Sequence, residues 1–119
     1  MSFAAAEPTT SLYELKTIKT GAGVTFEVHA VKEVKWSQEY PATLRVTPPA
    51  PNCVLLCSPD LMLEKLVYRK EDFVIEDGFV SIEVPVKVIT SGDINVEIRF
   101  ALCNKVSCYP QRAEVVVSF

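Results

Sequence analysis

Hydrophobic and polar residues alternate along most of this chain, in short runs that are rich in valine, isoleucine and phenylalanine. A period of two indicates β-strands with one face on a core, because successive side chains of a strand point to opposite sides. Proline, glycine, asparagine and aspartate separate the runs, as expected for turns. The pattern predicts strands over residues 12–18, 23–33, 42–47, 53–57, 65–69, 79–89, 94–103 and 113–119. Short strands with turns between them are typical of an antiparallel β-sandwich with immunoglobulin-like architecture.

The predicted strand 79–89 shows the clearest alternation. One face carries only apolar side chains, namely Val80, Ile82, Val84, Val86 and Val88. The other face carries Ser81, Glu83, Pro85 and Lys87. Such a strand covers a core with one side only. Because Pro85 has no N–H to donate to a ladder, the pattern also predicts an edge position or a bulge at that residue.

The next predicted strand, 94–103, is expected to pair antiparallel with the strand before it, because residues 91–93 read Ser-Gly-Asp, a hairpin signal. Its inward set is Ile94, Val96, Ile98, Phe100 and Leu102. Its outward set is Asn95, Glu97, Arg99, Ala101 and Cys103. The phase therefore places Cys103 at the exposed end of a core strand.

Three stretches depart from the strand pattern. Within residues 59–65, Asp60 is expected to cap a single helical turn over residues 61–64. Residues 48–52 contain three prolines, which predicts an extended connector without regular pairing. Residues 1–10 are expected to form a flexible N-terminal tail.

The composition fits one globular domain. A chain of 119 residues, 49% of them hydrophobic, can bury a single core, so we expect residues 1–119 to form one immunoglobulin-like β-sandwich domain. The net charge of -3 supplies no positive field for a phosphate backbone, so no nucleic-acid partner is expected. No apolar run approaches the roughly 20 residues that span a bilayer, and the first residues lack the pattern of a signal peptide. No membrane span is therefore predicted.

Four cysteines form two local pairs, Cys53 with Cys57 and Cys103 with Cys108. Four cysteines allow three connectivities, and the sequence does not choose among them. In a strand, Cys53 and Cys57 lie about 13 Å apart, beyond the reach of a disulfide, which favours two small buried side chains unless the chain bends after Cys57. Cys103 and Cys108 flank a four-residue turn and have two interpretations. They form either a local structural disulfide or a redox-active pair. In a redox-active pair, the positive charge of Lys105 would favour the thiolate form of the attacking cysteine.

Other chemistry receives weaker support from the sequence. The two cysteine pairs together fall within the loose spacing of a four-thiolate zinc site, but the apolar run around Cys53 does not resemble the glycine-containing turns of such sites. His29, the one histidine, lies on the polar phase of its strand and is expected to be a solvated surface residue. No Ser/His/Asp arrangement, phosphate-binding glycine loop or paired-carboxylate signature appears, so no cofactor is predicted.

Three short segments carry a resemblance to a known family. They are Val84-Pro85-Val86, Phe100-Ala101-Leu102-Cys103 and Cys108-Tyr109-Pro110, the first separated from the others by a strand, a turn and a strand. This arrangement resembles the N-terminal domain of the thiol:disulfide interchange protein DsbD, in which an immunoglobulin-like sandwich carries a cysteine pair ending in Cys-Tyr-Pro. A related β-sandwich also ends NHL-repeat proteins that carry a thioredoxin-like domain. The likeness covers the chain best from about Glu71 to the end.

The resemblance implies a function and a set of site residues. Cys103 and Cys108 would be the catalytic pair, passing electrons between thioredoxin-like partners by thiol-disulfide exchange. Phe73, with Asp72 beside it, falls at the position of the family's cap loop, whose aromatic ring shields the disulfide until a partner docks. Tyr109 would line the same site. Four residues separate the cysteines here, one fewer than is usual in that family.

The resemblance also implies a location, and the fold allows a second interpretation. A domain excised from such a protein would belong to the periplasm or another extracytoplasmic compartment. Immunoglobulin-like sandwiches serve many unrelated functions, however. The alternative is therefore a non-catalytic interaction or structural domain in which Cys103 and Cys108 form a local disulfide.

Overall fold

The structure is a computed structural model that describes residues 12–31, 33–47, 61–63, 65–88 and 91–119. Its strands are β1 (Tyr13–Thr20), β2 (Gly23–Ala30), β3 (Lys35–Trp36), β4 (Thr43–Thr47), β5 (Leu61–Leu63), β6 (Val67–Arg69), β7 (Val74–Ile75), β8 (Val80–Val88), β9 (Asp93–Cys103) and β10 (Cys108–Ser118). A 3-10 turn spans Lys70–Asp72. The prediction of an all-β chain is confirmed.

The strands form two antiparallel sheets with the core between them. One sheet has the order β1-β2-β8-β5, with β7 also paired to β8, and the other has the order β10-β9-β4-β6, with β3 also paired to β9. These orders correspond to the A-B-E-D and G-F-C-C′ sheets of an immunoglobulin-like sandwich. The largest fully buried side chains come from β2, β4, β8 and β9, and include Phe26, Leu44, Val84, Ile98 and Phe100. The predicted sandwich is therefore confirmed.

At two places in the sandwich, two short strands in succession pair with the same long strand, and the pairing is interrupted between them. On β8, β5 ends with Leu63 opposite Val86, and β7 resumes further along the same side with Val74 opposite Ser81. Between them the chain crosses to the other sheet as β6 and makes the 3-10 turn. In the same way β3 and β4 pair with successive stretches of β9. This second interruption places β3 beside the end of β9.

Pro85 faces the interval between β5 and β7. The Val86 N–H donates at 3.1 Å to the carbonyl of Ala22, the residue just before β2. The preceding nitrogen, that of Pro85, therefore points to the opposite side of β8. On that side, in the part of the chain that the structure describes, β5 stops at Leu63 and β7 starts at Val74. The predicted edge position is wrong, because β8 is a central strand with partners on both sides. The missing N–H of Pro85 nevertheless lies where the ladder of β8 is locally open.

Several sequence predictions are wrong in the described residues. The strand after residues 91–93 does not pair with the strand before them: β8 and β9 lie in different sheets, because the chain crosses from one sheet to the other between them. Residues 61–63 form strand β5 and not a helical turn, because pairing with β8 buries Leu63 in the core. His29 is only partly exposed: its Nε2 lies 2.9 Å from Glu27 Oε1, and its ring stacks on Phe79 with centroids 5.0 Å apart. The ring of Phe79 covers the His29 side chain, which the alternation of polar and apolar residues predicts to be exposed to solvent.

Several strand ends also differ from the prediction. β2 stops at Ala30 instead of residue 33, and β10 starts at Cys108 instead of residue 113. The first residues of β10 are mostly exposed and show no apolar alternation, yet they form a ladder because β9 continues opposite them. The predicted strand 53–57, the proline-rich connector 48–52 and the N-terminal tail 1–10 lie outside the described residues.

No helix in the described ranges has the length and apolar character that crossing a membrane requires.

Candidate functional site

A disulfide closes the hairpin of β9 and β10. The two strands pair from Asp93 opposite Ser118 to Cys103 opposite Cys108, the last pair before the turn. The two cysteine sulfurs are bonded at 2.07 Å, with the Cα atoms 4.0 Å apart. The next residue outward, Asn104, donates its N–H to the Ser107 carbonyl at 2.9 Å. The cysteines therefore occupy a non-hydrogen-bonded pair, the type in which facing side chains approach most closely.

The turn beyond the disulfide is held by the side chain of Asn104. Its Oδ1 accepts hydrogen bonds from the backbone N–H of Val106 at 2.8 Å and of Ser107 at 2.7 Å. Its Nδ2 lies 3.5 Å from the Tyr109 hydroxyl, to which it donates. Asparagine favours turns because its side chain can bond the backbone two residues further on. The hairpin end thus has support that does not depend on the S–S bond.

The disulfide lies at the surface of the domain. Cys103 is partly exposed, in agreement with the outward phase predicted for it, and Cys108 is exposed. Ala101 shares that outward phase but is buried, between its partner Pro110 on β10 and Ser37, whose N–H bonds the Ala101 carbonyl at 2.9 Å. Of the two cysteines, Cys108 is the more exposed residue.

Lys35 lies next to the disulfide on the same face of the sheet. β9 runs between β3 and β10, so Cys103 has Lys35 directly opposite on one side and Cys108 directly opposite on the other. Directly opposed residues of antiparallel strands share a face. A surface groove of about 610 Å³ opens beside them and is lined by Glu33, Lys35, Cys103, Asn104, Lys105 and Val106.

The predicted cap residue Phe73 lies in the core. It is 8% exposed, and its ring centroid is 5.3 Å from that of Trp36, which stacks on Phe100 at 5.2 Å. Trp36 pairs with Leu102, the residue before Cys103. Phe73 is therefore joined to the end of β9 through an aromatic cluster on the inner face, whereas the sulfurs lie on the outer face. Its role as a cap stays a prediction.

Asp72 and Tyr109, the other residues of the predicted site, lie at different places. Asp72 is exposed and accepts the Arg69 N–H at 2.9 Å, and its carboxylate lies 3.4 Å from the Lys65 ammonium. It stabilises the 3-10 turn that leads the chain to Phe73. Tyr109 follows Cys108 directly and is 39% exposed. Tyr109 is therefore near the disulfide because it is the next residue in the chain. Asp72 is connected to this end of the domain only through the segment that carries Phe73.

Sequence reasoning missed three residues around the disulfide. Lys35 and Trp36 belong to a two-residue strand, which is too short to show alternation. The signal for Trp36 was the buried tryptophan that immunoglobulin domains carry on their third strand. The signal for Asn104 was its place at the start of the turn, where asparagine is favoured.

Metal binding finds no support among the residues that the structure describes. No group of His, Cys, Asp or Glu there is arranged to hold an ion. Two of the four thiols of the hypothetical zinc site, those of Cys103 and Cys108, are bonded to each other. The other two, of Cys53 and Cys57, lie outside the described residues.

Comparisons of the chain with models of known protein families, with curated proteins and with solved structures found no match.

Proposed function

We propose that this domain is a thiol-disulfide exchange module, in which the Cys103–Cys108 disulfide accepts two electrons from one thioredoxin-like protein and passes them to another. The position of the disulfide supports this most directly. It lies on the outer face of the sheet, at the exposed end of a hairpin, with Cys108 open to solvent. Exposed disulfides are the ones most open to attack by an external thiolate. The Cys-Tyr-Pro motif adds the resemblance described above.

The exchange starts with a thiolate of the reduced partner attacking Sγ of Cys108, the more exposed residue of the pair. A bond forms between the partner sulfur and Cys108, the Cys103–Cys108 bond breaks, and its electron pair goes to Cys103 as a thiolate. The second thiol of the partner, once deprotonated, then attacks the mixed disulfide. The partner leaves oxidised, and Cys108 leaves as a thiolate. Reversal of these steps on an oxidised acceptor returns the two electrons and restores the disulfide.

The surroundings of the disulfide suit a transient contact with another protein. Val106 at the tip of the turn is 89% exposed, and Tyr109, which follows Cys108 in the chain, is 39% exposed. Aromatic side chains such as that of Tyr109 are enriched at protein interfaces. The hydrogen bonds of Asn104 that hold the turn involve neither sulfur, so we expect them to persist when the disulfide is reduced. The hairpin can therefore present either state to a partner.

A redox titration tests the proposal. The protein is equilibrated in glutathione or dithiothreitol buffers of known potential, free thiols are trapped, and the oxidised fraction is read by mass. We expect a midpoint in the range of exchange proteins, about -180 to -270 mV. A pair that stays oxidised below about -300 mV behaves as a structural disulfide and contradicts the proposal.

A trapping experiment tests the partner class. In Cys103→Ser, activated at Cys108 as a mixed disulfide with a small aromatic thiol, the resolving thiol is gone. A thioredoxin-like protein whose own resolving cysteine is replaced by serine should displace that small thiol, and its mixed disulfide with Cys108 should accumulate. The double variant Cys103→Ser/Cys108→Ser is the control and should trap nothing. Failure of the activated Cys103→Ser variant to form this mixed disulfide would count against a thioredoxin-like partner.

A second candidate function is a non-catalytic interaction domain. It is favoured by exposed apolar side chains away from the disulfide, at Val74 and Ile75 on β7 and at Val116 on β10. The double serine variant separates the two candidates. Partner binding that survives the loss of both thiols supports the interaction domain, and loss of partner reduction in a folded variant supports the exchange module.

A further inference from the structure

We infer that Lys35 is the electrostatic partner of Cys103 and makes its sulfur the preferred leaving group when Cys108 is attacked. This inference rests on the proposed exchange at the same disulfide. It assigns a role to a residue outside the cysteine motif. It also predicts that an attacking thiol forms its mixed disulfide with Cys108 and not with Cys103.

The first support is the row of three side chains across the sheet. Lys35, Cys103 and Cys108 are consecutive cross-strand partners on β3, β9 and β10. Directly opposed residues have Cβ atoms about 4.5 to 5.5 Å apart and share a face. The register therefore holds the stem of the lysine next to Cys103, and both residues line the same groove.

The second support is the asymmetry between the two cysteines. Cys103 belongs to β9, which has a strand on each side. Cys108 belongs to β10, which is the edge strand of its sheet in the part of the chain that the structure describes. Only Cys103 therefore has a lysine directly across from it. The more exposed cysteine and the cysteine opposite the lysine are therefore different residues.

The other charged groups around Cys103 leave a positive balance. The turn contributes Lys105, and the segment before β3 contributes Glu33. β10 contributes the uncharged Pro110, and Arg99, further along the outward phase of β9, is paired with Glu97 at 3.1 Å. Two lysines thus face one carboxylate. Of the two, Lys35 belongs to a strand, so its backbone is fixed relative to Cys103.

A cation beside one sulfur changes the exchange reaction in a defined way. It stabilises the thiolate over the thiol, and a thiolate of lower proton affinity leaves faster. Attack on Cys108 expels Cys103 beside Lys35. Attack on Cys103 would expel Cys108, which has no such cation opposite it. The charge distribution and the exposure therefore both direct an external thiol to Cys108.

Alkylation kinetics test the role of Lys35. In a Cys108→Ser background, the rate at which iodoacetamide modifies Cys103 is followed against pH. Lys35→Met, which keeps the apolar stem, should shift this profile to higher pH and lower the rate at neutral pH about two- to fivefold. Lys35→Arg should restore the original profile. Lys87→Met, on the other sheet, is the matched control and should change nothing.

Salt separates a charge effect from a structural one. At 1 M ionic strength, where the Debye length is about 3 Å, the difference between Lys35 and Lys35→Met should shrink. A difference that salt does not reduce would mean that the variant acts through packing and would overturn the inference. So would an unchanged alkylation profile in Lys35→Met. Lys35→Gln provides the same test if the methionine variant does not fold.

The site of attack is mapped on the full chain with glutathione as the probe. After brief exposure of the disulfide to reduced glutathione and acid quenching, peptide mass mapping should find glutathione mainly on Cys108. In Lys35→Met the share on Cys103 should rise. Glutathione found mainly on Cys103 would overturn the inference.

These tests do not depend on the partner class. If no thioredoxin-like protein exchanges with the domain, the proposed function fails, but alkylation and glutathione mapping still decide the role of Lys35. If exchange with such a protein occurs and Lys35→Met changes neither measurement, the function stands and the role of Lys35 is refuted.

Discussion

Strand β9 joins two regions that are held together by different forces. In its buried half, Phe100 packs between the rings of Trp36, at 5.2 Å, and Tyr13, at 5.0 Å, and is fully buried. At its hairpin end, the backbone is held by hydrogen bonds to Asn104 and by one disulfide, and Val106 is almost fully exposed. Burial of apolar surface specifies the first region, and local polar and covalent bonds specify the second. A core that does not need the disulfide leaves the disulfide free to react.

The largest effect is expected from the buried half. Phe100→Ala removes a ring that packs against two others, and should lower the free energy of unfolding by about 3 to 5 kcal/mol, from lost burial and the cavity left behind. Urea unfolding of the oxidised protein measures it. Val106→Ala at the hairpin end is the control and should stay within about 0.5 kcal/mol. Phe100→Leu gives a milder version if the alanine variant does not fold.

A smaller effect is expected from the disulfide itself. Cys103→Ala/Cys108→Ala removes a cross-link that closes a short loop, with a sequence separation of 5. The chain-entropy relation gives about 2 kcal/mol for a loop of this size. The variant should stay folded, with the near-UV circular dichroism of its aromatic cluster retained. An unfolded double variant would show that the two regions of β9 are not separable.

The turn should contribute less again. Asn104→Ala removes the acceptor of two backbone hydrogen bonds and should cost about 1 kcal/mol, because each exposed hydrogen bond contributes little net. Amide hydrogen exchange at Val106 and Ser107 should become faster, while the amides of Ile98 and Phe100 stay protected. Asn104→Asp keeps an acceptor oxygen and is the matched control. Equal losses in both variants would show that the side-chain acceptor is not what holds the turn.

The same contrast explains how much the sequence revealed. In the buried regions the alternation of β2, β8 and β9 reports directly which side chains face the core, so strand identity and the sandwich were predictable. The short strands β3, β5 and β7 have two or three residues, and no periodicity can appear over that length. Their pairing depends on neighbours far away in the chain.

The candidate site was predictable in part for the same reason. The spacing of Cys103 and Cys108 around a turn is local information, and so is the outward phase of Cys103. Lys35 reaches the disulfide only through the pairing of β3 with β9, and Phe73 reaches Trp36 only after the chain has crossed between sheets. Neither contact follows from spacing along the sequence.

The smallest effect is expected on the solvent face of the buried half of β9. There Glu97 accepts hydrogen bonds from Arg112 Nε at 2.6 Å and from Arg99 Nε at 3.1 Å. The hydrogen bond from Arg112 is the main cause that lowers the pKa of Glu97, partial desolvation opposes it, and Arg99 adds to the lowering. Ion pairs on an exposed face contribute little to stability, because water and salt screen them.

Acid titration should show the direction of this contribution. Because the pKa of Glu97 is lower in the folded than in the unfolded chain, its stabilisation is complete above the unfolded pKa and is lost as the pH falls through the folded pKa. Arg112→Gln should raise the pKa of Glu97, which NMR of the Glu97 carboxyl carbon can follow. The free energy of unfolding at neutral pH should change only slightly. Arg112→Lys should keep part of the lowering. An unchanged Glu97 pKa in Arg112→Gln would exclude that hydrogen bond as the cause. A large loss in the free energy of unfolding would show that the ion pairs on the outer face of β9 stabilise the fold strongly. We expect almost no stabilisation from that face, because it belongs neither to the buried core nor to the cross-linked hairpin end.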